Sequence, residues 1–149
     1  MSTNVTVIEP ASTDDLQSVE ALLRTVELPT DGLSQHLAEF LVGRLDGRVV
    51  GCVGLEFYGE TAILRSLAVD PTSRGGALGT RLARSIIERA RARGIRRIVL
   101  LTETAEGFFT QRLGFVPTQR DTVPQDVRES WQFTGAVCQS ATCMHLPLE

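Results

Sequence analysis

The chain has 149 residues, 42% of them hydrophobic and 22% charged. That size suits one globular domain, residues 1–149, and that composition excludes disordered and collagen-like classes. Fifteen Lys and Arg against eighteen Asp and Glu give a net charge of -3, the wrong sign for a protein that coats nucleic acid.

Val5, Val7 and Ile8 predict a first strand that ends at Pro10. Ser12 or Thr13 can cap a helix whose first turn carries Asp14 and Asp15 and whose apolar face is Leu16, Val19, Leu22 and Leu23. After a loop at residues 28–32, a shorter helix begins near Ser34. Residues 40–45 and 49–57 predict two strands joined by an Asp46-Gly47 hairpin turn, and a third strand, 62–69, follows the turn at Tyr58-Gly59-Glu60. A glycine-rich stretch, 74–79, then leads into a long helix with the stripe Leu78, Leu82, Ile86 and Ala90, closed at Gly94. Residues 95–101 predict a buried strand. A helix over 105–113 ends at Gly114, a strand begins at Phe115-Val116, a helical turn follows Pro124, and residues 141–148 form a last strand. The expected fold is a single-domain α/β mixed sheet. An antiparallel meander is followed by β-α-β-α-β, with helices on both faces.

A strand, a short loop, glycines and a helix start make an anion site, because the first helical N–H groups point outward and the macrodipole adds positive charge. Gly75, Gly76 and Gly79 allow close approach, and Arg74 adds a full charge. The alternative is a glycine-rich turn with no ligand. A nucleoside triphosphate loop would need Gly-Lys-Ser/Thr, which is absent. A dinucleotide fold would find an acid at Glu103, but the Gly-x-Gly-x-x-Gly spacing is missing.

Residues Leu67-Ala68-Val69-Asp70-Pro71 with Arg74-Gly75-Gly76-Ala77-Leu78-Gly79 resemble motif A of the GNAT superfamily of N-acetyltransferases. Thr102-Glu103-Thr104 through Phe108-Phe109 to Leu113-Gly114-Phe115 resembles its motif B. Finer resemblance is to small acetyltransferases associated with arsenic-resistance operons. It is carried by Gly54-Leu55-Glu56, by Leu64-Arg65-Ser66-Leu67-Ala68-Val69 and by residues 138–144. Residues 101–104 and Val123-Pro124 are more distantly similar to the acetyltransferase domain of N-acetylglutamate synthases. The resemblance implies acetyl-CoA as cosubstrate and a small-molecule amine as acceptor, an amino acid or an arsenic- or phosphorus-containing glutamate analogue. It implies coenzyme contacts from Leu67, Ala68 and Val69, from Arg74 through Thr80, and from Phe109 and Arg112, although core packing is the first expectation for Phe108 and Phe109. It assigns the N–H of Leu67 or its neighbour to the thioester oxygen, and it suggests a homodimer. The family loop usually has Gly at Ala77, a mild change if that position is helical. Many members carry a tyrosine general acid in motif B, where this chain has Phe109 and Thr110. A coenzyme-binding sensor without turnover, or a cationic acceptor such as a polyamine or aminoglycoside, are the alternatives.

On the acceptor side, Glu56 interrupts the apolar run 50–57 and is the candidate base. The competing reading gives it a solvent-facing place, since it shares parity with Cys52 and Gly54. Arg65 lies in a strand expected to be central. It requires either a substrate acid or an ion pair with Glu56 or Glu60. Tyr58, Ser66, Thr102 and Thr104 are further acceptor-pocket candidates, with a plain turn role the alternative for Tyr58. Trp131 either lines the acceptor pocket or covers the sheet. Cys138, Cys143, Met144 and His145 match no zinc spacing, so no metal is assigned, although two thiols could hold a thiophilic ion. Cys52 is expected in the core, and the three cysteines make no disulfide framework. Arg89, Arg91, Arg93, Arg96 and Arg97 form a solvated face rather than a nucleic-acid patch. No run spans a bilayer and residues 1–10 do not resemble a signal peptide, so a cytoplasmic protein without membrane partners is expected.

Overall fold

The computed structural model describes residues 5–73, 77–134 and 140–148. Its strands are β1 (Val7–Pro10), β2 (Phe40–Leu45), β3 (Arg48–Tyr58), β4 (Thr61–Val69), β5 (Arg97–Thr102), β6 (Val116–Pro117) and β7 (Thr142–Pro147). The helices are α1 (Leu16–Thr25), α2 (Leu33–His36), α3 (Leu78–Ala92), α4 (Glu106–Leu113), α5 (Gln125–Arg128) and α6 (Trp131–Thr134). The strands form one mixed sheet in the order β1-β2-β3-β4-β5-β7-β6. β1, β2 and β3 pair antiparallel in sequence, β4 and β5 pair parallel, and β7 pairs antiparallel with both β5 and β6. The expected mixed α/β class is thus present, and its last strand inserts between two earlier ones.

The described residues gather into two compact units. One holds the residues up to Leu55 together with Ser66–Ile86, the other Glu56–Arg65 together with the residues from Ile87 onward.

In the first unit the hairpin turn is as expected. Asp46 and Gly47 have φ of 53° and 78°, the pair of left-handed residues that suits the twist of a two-residue hairpin. Seven consecutive residues of β3, 50–56, are buried, so alternation disappears. In this unit both faces are covered. Val19, Leu22 and Leu23 of α1 and Leu33 of α2 pack with Val42 and Cys52, which are cross-strand partners. Gly51, of opposite parity, lies under Leu78 and Leu82 of α3, where an added Cβ would come within 2.8 Å of Leu82. Gly54 carries the Phe40 ring, and a Cβ there would sit 2.1 Å from it. The Ser12 N–H donates to Asp15 Oδ2 at 2.8 Å and fixes the helix entry. Arg44 bridges Asp15 and Glu9, at 2.7 Å from each. Its hydrogen bonds hold the Asp15 carboxyl below the usual range.

In the second unit the β4–β5 ladder runs from Thr61–Arg97 to Ile63–Val99, and β5 pairs with β7 over six positions. Ile63, Val99, Val123, Val127, Phe133 and Cys143 form its core, with Tyr58 and Leu101 against it. Gly94 and Gly114 end α3 and α4 with φ of 82° and 80°, as helix stops that only glycine adopts cheaply. Phe109 stacks edge-to-face between Phe108 and Phe115, at 5.2 and 5.5 Å. The Arg97 guanidinium donates to His145 Nδ1 and the Thr122 carbonyl. The Arg93 guanidinium lies 4.8 Å over the Phe57 ring.

Candidate active site

Two groups of sequence-assigned residues are resolved, one in each unit. The first is backbone. β4 ends at Val69, where the Asp70 N–H donates to the Val50 carbonyl at 2.8 Å. The Asp70 carboxylate then accepts from the Thr72 N–H and hydroxyl, tightening the turn that leaves the strand. Within β4, Ser66 has φ of 62°, a left-handed residue inside a strand, as at the first position of one type of β-bulge. The next peptide carries the Leu67 N–H. Leu67 and Val69 are half-buried, and Ala68 is buried.

Helix α3 begins at Leu78, and its first intrahelical bond runs from the Arg81 N–H to the Ala77 carbonyl. The N–H groups of Leu78, Gly79 and Thr80 therefore have no acceptor within the helix. They lie at the positive end of a 15-residue macrodipole, which is the chemistry a diphosphate requires. Arg74, Gly75 and Gly76, assigned to the same contact, lie outside the described residues. Ala77 is not helical. Its φ is 63°, so the mild reading of this departure from the family glycine is corrected. A Cβ in this region costs about 1–2 kcal/mol.

The second group is made of side chains. Glu56 is 0% exposed, which removes the solvent-facing alternative. The parity argument fails because Cys52 and Gly54, its partners in parity, are themselves buried under α1 and Phe40. Oε1 of Glu56 accepts the Tyr58 hydroxyl at 2.7 Å, and Oε2 accepts Arg65 Nη1 at 2.9 Å. The Arg65 side chain is 2% exposed. Of the alternatives for Arg65, the ion pair with Glu56 is the one the structure contains. Tyr58 is the last residue of β3 rather than a turn residue, and the turn itself falls on Gly59, with φ of 62°. Burial pushes the Tyr58 phenol well above its usual range, reinforced by its bond to Glu56 and opposed by the neighbouring Ser130 hydroxyl.

The remaining assigned residues are scattered. Ser66 is half-buried, and its carbonyl faces the Cys52 thiol. The Thr102 hydroxyl accepts the Ala105 N–H at 3.0 Å, a local turn ahead of α4. Thr104 and Arg112 are exposed, and Arg112 sits in the last turn of α4. Phe109 is 5% exposed and stacked on two rings. That burial and stacking agree with the core packing expected of it. Glu103, the acid of the dinucleotide alternative, accepts the Ser140 hydroxyl. Cys143 is buried, and desolvation pushes its thiol up. Cys138 lies outside the described residues, and the Trp131 side chain is likewise outside them. Among the described residues, no group of three or more His, Cys, Asp or Glu is placed to hold a metal, and no helix is long and apolar enough to cross a membrane.

Two features of this geometry had no reading in the sequence. The left-handed Ser66 carries no glycine to announce it. The Tyr58–Glu56 bond had a usable signal, since residues two apart on a strand share a face.

Residues 10–115 match the model of the acetyltransferase (GNAT) family. The chain belongs to that family, which sets the dinucleotide-binding alternative aside. It is 30% identical over 137 residues to an amino-acid acetyltransferase of Neisseria meningitidis serogroup A, covering 86% of this chain and 31% of that protein. An amino-acid acetyltransferase of Ralstonia nicotianae is 32% identical over 143 residues, 87% of this chain and 31% of that one. The chain thus spans under a third of the length of these relatives. An IAA acetyltransferase of Azospirillum brasilense is 33% identical over 113 residues, covering 66% of this chain and 74% of that protein. Among solved structures, N-acetylglutamate synthase from Neisseria gonorrhoeae, complexed with coenzyme A and N-acetyl-glutamate, matches with a TM-score of 0.85 at 26% identity. That match covers 99% of this chain and 36% of that one. A Mycobacterium tuberculosis protein shares the fold, with a TM-score of 0.80 at 24% identity over 96% of this chain and 99% of that one.

Proposed function

We propose that the chain is an acetyl-CoA-dependent N-acetyltransferase acting on the amine of an amino acid or amino-acid analogue. The observation that carries this reading is the first turn of α3, whose N–H groups at Leu78, Gly79 and Thr80 follow β4 and its distorted Ser66–Leu67 peptide. Those N–H groups suit the coenzyme's diphosphate. The backbone of Leu67, Ala68 and Val69 suits its pantetheine amides, as an added strand would. Membership of the acetyltransferase family and the amino-acid acetyltransferases among the relatives support the reaction and the acceptor class. An arsenic- or phosphorus-containing glutamate analogue is the finer proposal. It rests on the likeness of Gly54-Leu55-Glu56 and residues 64–69 to arsenic-operon acetyltransferases.

The acceptor nitrogen forms a C–N bond to the acetyl carbon as the C–S bond breaks and the thiolate leaves. The Leu67 N–H donates to the thioester oxygen as it gains charge. Glu56 is the base. Being fully buried, with Oε1 on the Tyr58 hydroxyl, it receives the proton through that hydroxyl. The phenol oxygen takes the amine proton as its own moves to Glu56, so Tyr58 stays neutral throughout. Arg65 fixes the other carboxylate oxygen.

One observation favours a second reading, a coenzyme-binding protein without turnover: the inward-packed Phe109 stands where many family members carry a tyrosine acid. A single series separates the two. Saturating acetyl-CoA should raise the melting temperature, and thiol release should follow with at least one acceptor from a panel of glutamate, its phosphorus and arsenic analogues, and cationic amines. Stabilisation without release from any acceptor would favour the second reading. Glu56→Gln should lower kcat by at least ~10²-fold with coenzyme binding kept. Full activity in that variant would remove Glu56 from the mechanism.

A further inference from the structure

We propose that Cys52 is a positioning residue for the oxyanion contact, because its thiol holds the peptide that carries the Leu67 N–H. The inference rests on the acetyltransferase reading above. Cys52 is fully buried in β3 among Val19, Leu23, Phe40 and Val42. A buried cysteine usually serves as a small apolar filler. This one also makes a directed contact, with Sγ 3.2 Å from the Ser66 carbonyl oxygen. A carbonyl has no proton to give, so the thiol donates.

The Ser66 carbonyl and the Leu67 N–H are two ends of one planar peptide and point in opposite directions. Fixing the oxygen therefore aims the N–H. The same bond polarises the amide and makes its N–H a better donor. The conformation needs holding, because Ser66 has φ of 62°, where a residue with a Cβ is disfavoured. Relief of that strain by rotation about the Ser66 N–Cα bond would carry the Ser66 carbonyl, and with it the Leu67 N–H, out of place. Strain of this kind persists only where surrounding contacts over-determine it, and the Cys52 thiol is such a contact on the carbonyl that would be carried along.

Two variants separate holding from filling. Cys52→Val keeps a small apolar side chain and removes the donor, whereas Cys52→Ser keeps a donor. The coenzyme-free, isotope-labelled protein gives the first readout, the Leu67 amide resonance. In Cys52→Val it should move by more than that of Val42, the cross-strand partner of position 52, and in Cys52→Ser it should stay near its original place. Steady-state kinetics give the second. Cys52→Val should lower kcat about 10-fold, a fraction of the 10²–10³ that a whole oxyanion donor supplies. KM for acetyl-CoA should stay within about twofold, because only a transition-state contact is disturbed. Cys52→Ser should recover most of kcat. An unmoved Leu67 resonance in Cys52→Val, or equal kcat in wild type and Cys52→Val, overturns the proposal. Failure of the acetyltransferase reading looks different: the wild type then releases no thiol with any acceptor, while the Leu67 resonance still decides whether Cys52 holds this peptide.

Discussion

The coenzyme side and the acceptor side of the proposed chemistry are built from different materials. In the first unit the working groups are peptide N–H groups, those of Leu67, Leu78, Gly79 and Thr80, and the structure invests in unusual backbone at Ser66 and Ala77. In the second unit they are the side chains of Glu56, Tyr58 and Arg65, buried on regular strands and bonded to one another. A backbone site depends on chain conformation and tolerates changes of side chain. A side-chain site depends on residue identity, and it carries the cost of burying charge.

Arg65 is where that contrast produces its largest effect. Arg65→Met removes one member of a fully buried pair and leaves Glu56 in the core without its cation. Unfolding free energy should fall by about 3–5 kcal/mol, measured by urea denaturation. The double variant Glu56→Gln with Arg65→Met should recover much of the loss, since no buried charge remains. If the double variant is as unstable as the single one, the loss comes from packing and the electrostatic account fails.

Leu67 tests the opposite expectation. Leu67→Ala removes a half-buried side chain and keeps the N–H, so kcat should change by less than about fivefold, against the 10²–10³ expected for a lost oxyanion donor. A drop of two orders of magnitude, with acetyl-CoA still bound, would move the chemistry from the backbone to the side chain. Ala77 gives the smallest effect. Ala77→Gly removes the Cβ penalty at φ of 63° and adds some freedom to the unfolded chain, for a net stabilisation of about 0.5–1 kcal/mol. A destabilised Ala77→Gly protein would mean that the methyl group packs well enough to outweigh the strain.

Legibility followed the same division. The hairpin at Asp46-Gly47, the stripe Leu78, Leu82, Ile86 and Ala90, and the stops at Gly94 and Gly114 were all readable, because turn chemistry and periodicity are local. The start of α3 after the glycine-rich stretch was readable for the same reason. The strain at Ser66 and Ala77 was not, because neither residue type advertises a left-handed conformation. Parity misplaced Glu56, since it presumes one wet face on a strand that helices cover on both sides in the first unit. Phe109 was readable as a packing residue, and its partners Phe108 and Phe115 came from the structure.

By itself the sequence determined the mixed α/β class, the helix start after the glycine-rich stretch and the resemblance to the acetyltransferase family, since each is written in neighbouring residues. Tertiary structure alone decided that β7 lies between β5 and β6, that Arg65 pairs with Glu56, and that Cys52 reaches the Ser66 carbonyl. Those three are contacts between distant or cross-strand positions, and their partners are chosen by packing and register rather than by local propensity.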